Sequence, residues 1–451
     1  MEPWQLGVVE AARLMRTGSL APTDLAESLL SRIEKLDSHL LAWVTVDGDG
    51  VRAAARSLER RLAGEEALGP LAGVPIGVKD VIDVSGLLTT ASSKVRASSM
   101  ATEDAHCIAN LRRAGATILG KLHTAEFACA DPPPTRNPWD AAHTPGGSSS
   151  GSGAAVAAGA VPAALGTQTG GSTLRPAAYN GIVGLKGSYG MISNRGVIPV
   201  SWSFDHVGVL ARSVADASAL LAALAGHDPL DPSSSPRASA FSAVPVAHRP
   251  PTIGLIRSMF LERCEPEVLA HTLAVATRFE AEGAEVREIS LPPSWERIAA
   301  TQTPIFRAEM YAYHRVEYEQ YKHLYRPMNA AALAEGSGVS AADYVAAVRE
   351  RPGVVRDLEA TLDGVDIALT PATPAPAPRN TTTTGDASFQ VPWSYAGLPA
   401  VALPSTVNRW GLPLGIQLVG HRWQDAQLLA AAGWCEQVLG FDAHPPCWDE
   451  V

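Results

Sequence analysis

Residues 146–172 carry two runs of small residues that leave the chain few ways to fold there. The first is Gly146-Gly147-Ser148-Ser149-Ser150-Gly151-Ser152-Gly153; the second is Gly166-Thr167-Gln168-Thr169-Gly170-Gly171-Ser172. A flexible linker has this composition. Here, however, Ala-rich helix formers follow the first run at once, and the apolar run Val161–Leu165 leads into the second. A phosphate loop is excluded, because no GxxxxGK[ST] occurs. Gly147–Gly151 does spell GxSxG, so an α/β-hydrolase-type esterase using Ser149 is one reading. That elbow needs a buried strand just before it, and Thr135-Arg136-Asn137-Pro138-Trp139-Asp140 is polar and proline-bearing. In the second run, consecutive glycines let backbone N–H groups converge without a Cβ in the way. Ser172 ends that run. A nucleophile beside converging donors is what acyl transfer requires; a tight turn capping a helix from Ser172 is the plain structural alternative.

The rest of the composition bounds the class. The 451 residues are 46% apolar and only 18% charged, enough to bury a large core. A net charge of −10 argues against a nucleic-acid or anionic-membrane partner, so neither is expected. Cys107, Cys129, Cys264, Cys435 and Cys447 are scattered and form no CxxC, and no HExxH occurs. Neither a disulfide framework nor a metal site is predicted. The N-terminus lacks a signal-peptide pattern, and Ala154–Leu165 is too short to span a bilayer. The expectation is a cytoplasmic chain.

Periodicity predicts helices through residues 6–65, with Leu25, Leu29, Ile33 and Leu36 on one face. Gly73–Asp80 starts as an apolar strand and ends on polar residues. A helix at 105–114 leads into a strand at 116–121. Residues 252–290 read strand (252–256), helix (265–282), strand; further strands follow at 365–369, 401–403 and 415–419, with a helix at 424–438. This alternation predicts an α/β fold. One domain over 1–451 is expected: N-terminal helices (1–65), a core (66–216), a variable, partly helical region (231–320) and a C-terminal return to the core (360–440).

Several spaced motifs together closely resemble the amidase signature family. They are Gly73–Asp80 with its lysine, Gly146-Gly147-Ser148, Gly170-Gly171-Ser172, Arg175-Pro176-Ala177, Gly181–Lys186 and Asp205-His206-Val207-Gly208. The resemblance implies a large mixed central sheet covered by helices on both faces. It implies a Ser–cisSer–Lys triad: Lys79 as base, Ser148 as the bridging serine after a cis peptide, Ser172 as nucleophile. The family's oxyanion hole corresponds to the backbone N–H groups of Thr169, Gly170, Gly171 and Ser172. No metal or organic cofactor is implied. A lysine acts as a base near neutral pH only when burial or like charge lowers its pKa, and Val74–Val78 would bury its stem.

Two positions depart from the family's pattern. Gln168 stands where many members have an acid, and Leu174 where many have an arginine; a pairing of Arg175 with Asp205 is one structural possibility. These departures look more like stand-alone bacterial amidases than like the amidotransferase component that makes glutaminyl-tRNA. The expected reaction is cleavage of small amides or carbamates (urethanes) through an acyl-Ser172 intermediate, with esters as a side activity; the glutamine amidotransferase component of a tRNA-dependent complex is the alternative. Phe127, Cys129, Trp202, Gln390 and Trp393 are candidate substrate contacts. A small-molecule substrate and a homodimer are the expected partners.

Overall fold

The computed structural model describes every residue except 1, 65, 67, 243–248, 450 and 451. Eleven strands build one mixed sheet: β1 (Trp43–Val46), β2 (Pro75–Lys79), β3 (Thr117–Leu122), β4 (Ala163–Gln168), β5 (Val183–Lys186), β6 (His206–Ala211), β7 (Thr252–Ile256), β8 (Glu285–Ile289), β9 (Ile367–Pro371), β10 (Ala400–Val407) and β11 (Pro413–Val419). Their order across the sheet is β1-β3-β2-β4-β6-β5-β10-β11-β9-β7-β8. The α/β expectation holds, with helices packed over both faces of the sheet.

The placement of the site follows from one parallel set. β2 runs parallel to both β3 and β4. Parallel neighbours need crossovers, and these are the helices His106–Arg113 and Ser150–Ala157. Val78 pairs with Leu165, so Lys79, the last residue of β2, lies beside the carboxyl end of β4, where Thr167 is the last residue but one. Open α/β sheets hold their ligands at that end of their strands.

The first Gly/Ser run is therefore no linker: from Ser150 on it is a buried helix. Every residue of Ser150–Ala157 is buried. A Cβ on Gly151 would lie 2.4 Å from Ala42 O and 2.6 Å from His123 N. Only glycine lets this helix press against those two backbones.

Leu25, Leu29, Ile33 and Leu36 are buried in the helix Pro22–Leu40, as their spacing predicts. The uniformly helical reading of residues 6–65 is wrong at β1. That edge strand is four residues long and held by its backbone pairing to β3, so it leaves no periodic signal. β6 also escapes the sequence reading, although it lies between β4 and β5.

Candidate active site

Lys79 is the last residue of β2 and is fully buried. Its Nζ lies 2.8 Å from Ser148 Oγ and 2.7 Å from Thr167 Oγ1. Burial pushes the lysine well below its ordinary pKa; Asp205 opposes this and Arg175 adds to it. A neutral amine in this position accepts a proton from the Ser148 hydroxyl while donating to Thr167 Oγ1.

The Gly147–Ser148 peptide is cis. Ser148 O accepts from Ala125 N at 3.0 Å. Gly147 O accepts from Arg175 Nε at 3.1 Å and also from Nη2, while Nη1 reaches Gly385 O. The pairing of Arg175 with Asp205 is thus not formed. The guanidinium joins the backbone before Ser148 to the 384–385 loop, which it also holds through Thr384 Oγ1 at 3.0 Å.

The loop that ends in Ser172 is fastened at three points. Gln168 Oε1 accepts from Thr173 N at 2.9 Å and Leu174 N at 3.0 Å. An acid at this position would accept both equally; the amide adds a donor, Nε2, at 3.0 Å from Ser394 Oγ. Ser394 Oγ in turn donates to Gly170 O at 2.6 Å. Thr169 Oγ1 donates to Asp205 Oδ1 at 2.5 Å. Gly170 and Ser172 remain partly exposed, so the loop has an open side. The Ser172 hydroxyl makes no hydrogen bond among the described residues, and its carbonyl accepts from Ser149 N at 3.1 Å.

A Cβ on Gly171 would meet Gln390 Oε1 at 2.6 Å and Ala387 Cβ at 3.1 Å. Gly171→Ala is therefore expected to push the loop outward. A displacement near 1 Å costs about 10²-fold in rate, measurable as the labelling rate of Ser172 by a fluorophosphonate. A rate within a factor of two of wild type would show that the loop tolerates the methyl.

Ser149 is fully buried, and its hydroxyl lies 3.3 Å from Thr167 O and 3.2 Å from Thr167 N. It ties the helix to the end of β4 and is not presented on an exposed elbow. Ser149→Ala would leave a buried N–H unpaired and is expected to cost roughly 1–3 kcal/mol, read by denaturant unfolding; an unchanged midpoint would mean that the N–H finds another partner.

The five candidate substrate contacts separate. Trp393 is fully buried and stacks on Phe260, with ring centroids 5.7 Å apart. Phe127 is also buried, against His314 and Tyr325. Both belong to the core, and their assignment to the cleft is corrected. Gln390 is buried, donates to Ala372 O, and lies behind Gly171. Cys129 is half-buried beside Met310, and burial pushes its thiol up to about 11. Trp202 is 46% exposed, on a cavity of about 450 Å³ that it shares with Tyr189, Asn194, Leu230 and Asp205.

Two contributors were missed by sequence reasoning. Thr167 lies inside the second small-residue run and could have been read from its place at the end of β4. Ser394 gave no signal, because it reaches the loop only through the tertiary fold. Among the described residues, no His, Cys, Asp or Glu cluster of metal-binding size occurs, and no helix is long and apolar enough to cross a membrane.

The amidase family model matches residues 24–429. A relative from Geobacter sp. (strain M21), one of the subunits of its glutamyl-tRNA(Gln) amidotransferase, is 34% identical over 96% of this chain and 97% of its own. Among solved structures, a chain from a vestigial protein complex bearing on the origins of an s-triazine catabolic enzyme is 32% identical. It superposes with a TM-score of 0.88, covering 97% of this chain and all of its own. The native peptide amidase from Stenotrophomonas maltophilia is 28% identical, with a TM-score of 0.84 and 98% of each chain covered. The curated relatives overturn the expectation of no nucleic-acid partner. They are named as subunits of a glutamyl-tRNA(Gln) amidotransferase and align almost end to end with this chain. Net charge describes the whole surface and says nothing about one contact face or a partner protein.

Proposed function

Because the chain belongs to the amidase family, we propose that it cleaves the C–N bond of an amide through an acyl intermediate on Ser172. The observation that carries this reading is the buried Lys79 amine 2.8 Å from Ser148 Oγ, beside the Gly170-Gly171-Ser172 loop. Neutral Lys79 takes the Ser148 proton, and Ser148 takes that of Ser172. The Ser172 oxygen attacks the carbonyl carbon. N–H groups of residues 169–172 hold the developing oxyanion, each donor worth about 3–4 kcal/mol. The relay then runs in reverse and protonates the departing nitrogen. Attack by water, or by another acceptor, releases the acyl group.

Two uses of this reaction are open to the same site. In the first the chain is a free-standing hydrolase of small amides or carbamates; Gln168 and Leu174 motivate it. In the second it is the amide-cleaving component of a glutamine-dependent amidotransferase, working with a tRNA and partner proteins. The curated relatives favour the second, at 34–38% identity over 95% or more of the chain.

Fluorophosphonate labelling followed by peptide mass spectrometry tests the chemistry, with Ser172 as the expected site. Labelling elsewhere would sink the assignment. The purified chain is then given anilides, primary amides, carbamates and glutamine. Glutamine turnover that needs a copurifying partner or a glutamylated tRNA selects the second use. Turnover of simple amides by the chain alone selects the first.

A further inference from the structure

Glu309 lies on the helix Ile298–Tyr321, outside the motif region, and is 1% exposed. A buried carboxylate needs compensation. Among the described residues no salt bridge supplies it; four hydrogen bonds do. Ser201 Oγ donates at 2.5 Å, Ser203 Oγ at 2.6 Å, Ser203 N at 3.0 Å and Tyr344 OH at 3.1 Å. Three of the four come from the loop 201–203.

That loop holds Asp205. Asp205 Oδ2 accepts from Val200 N at 2.8 Å and Ser201 N at 2.9 Å. Its other oxygen takes the Thr169 hydroxyl, and Thr169 opens the loop that ends in Ser172. Arg351 steadies the same loop by donating to Ser203 O at 3.0 Å, with its guanidinium over the Phe204 ring. The polar chain is continuous from Glu309 through Ser201 and Asp205 to Thr169.

We propose that Glu309 is a positioning residue that sets the 169–172 donors by holding the loop that carries Asp205. The proposal rests on the acyl-transfer reading of Ser172. It makes the helix Ile298–Tyr321 part of the reaction's geometry, although no atom of it is placed in the chemical steps.

Charge supports the same connection. Burial raises Asp205 to about 7, against the hydrogen bonds from Thr169, Val200 and Ser201; the nearby Glu309 raises it further. Asp205 also faces Lys79, Tyr189 and the Cys129 thiol. Removing the Glu309 charge lowers the Asp205 pKa, so an acid limb due to Asp205 moves to lower pH.

The test is the rate of fluorophosphonate labelling of Ser172 against pH, on full-length wild type, Glu309→Gln, Asp205→Asn and the double variant. Peptide-resolved hydrogen exchange over residues 165–175 accompanies it. Glu309→Gln is expected to slow labelling about 10-fold or more, to shift the acid limb to lower pH and to speed exchange of the 169–172 amides. The double variant should label no more slowly than Asp205→Asn alone, because Glu309 acts through Asp205. An unchanged rate and limb in Glu309→Gln overturn the proposal, as does a double variant slowed by the product of the two single effects. If Glu309→Gln does not fold, Ser203→Ala keeps the charge and removes one tie; an unchanged rate there also overturns it. If wild-type Ser172 is not labelled at all, the acyl-transfer reading fails. Hydrogen exchange then decides the positioning role alone: faster exchange in Glu309→Gln supports it, unchanged exchange refutes it.

Discussion

Ser172→Ala is expected to lower turnover by roughly 10⁵–10⁶-fold, the range for loss of a nucleophilic serine that acts as one unit with its base. Stability should stay within about 0.5 kcal/mol, as for a change that breaks no buried contact. The structure gives the reason for both halves. The Ser172 hydroxyl makes no hydrogen bond among the described residues and lies on the open side of its loop. The carbonyl that accepts from Ser149 N is backbone and survives the substitution. Single-turnover kinetics and thermal melting measure the two effects. A loss below 10-fold would remove Ser172 from the chemistry. A large fall in the melting temperature would mean that the hydroxyl has a structural partner.

Lys79→Met is expected to lower turnover by roughly 10²–10⁴-fold, the usual contribution of a general base. The wild type should lose activity on acidification, as Lys79 takes up the proton that blocks it. The variant should lack the part of that limb due to Lys79 and keep any part due to Asp205, and recovery of full activity at high pH would identify another base. Stability carries a separate signature. Burial depresses Lys79 in the folded state, whereas the unfolded chain titrates in the ordinary lysine range. Between those two values the unfolded chain binds a proton that the folded one does not. Wild-type stability from this group therefore rises with pH across that window. Methionine has no such dependence, so the wild type should gain on Lys79→Met as pH rises toward the ordinary lysine range. Unfolding midpoints at three pH values measure it, and a constant difference would mean that Lys79 is not depressed.

The sequence was most informative where chemistry demands small residues. Gly146–Gly153 and Gly166–Ser172 stood out as runs of small residues, and the structure runs the first into a buried helix and the second out of the end of β4. Lys79 was legible as the polar end of an apolar strand. The aromatic candidates were not legible in the same way. Trp393 and Trp202 look alike in sequence, yet one is stacked in the core and the other stands 46% exposed on a cavity. Which occurs depends on neighbours far along the chain. Arg175 misled for a related reason. Its charge suggested a carboxylate partner, but its fork is occupied by the carbonyls of Gly147 and Gly385. β1 was lost because a four-residue edge strand is stabilised by its partner strand and not by its own pattern.

The strand order carries an evolutionary consequence. Six neighbouring strands come from residues 43–211 and the other five from residues 252–419. Within the sheet, the two sets join at one seam, β5 against β10, where Ala400, Val401 and Ala402 pair with Lys186, Leu185 and Gly184. Lys79, Ser148 and Ser172 all belong to the first set. Thr384, Gly385, Ala387, Gln390 and Ser394, which lean on the loop and on Arg175, belong to the second. Recombination between relatives at the chain segment joining the sets would exchange the wall around Ser172 and keep Lys79, Ser148 and Ser172 together. If Ser172 carries the acyl group as proposed, new acyl groups are sampled by shuffling whole halves, with the seam and the Arg175 clamp as the contacts that a chimera must preserve.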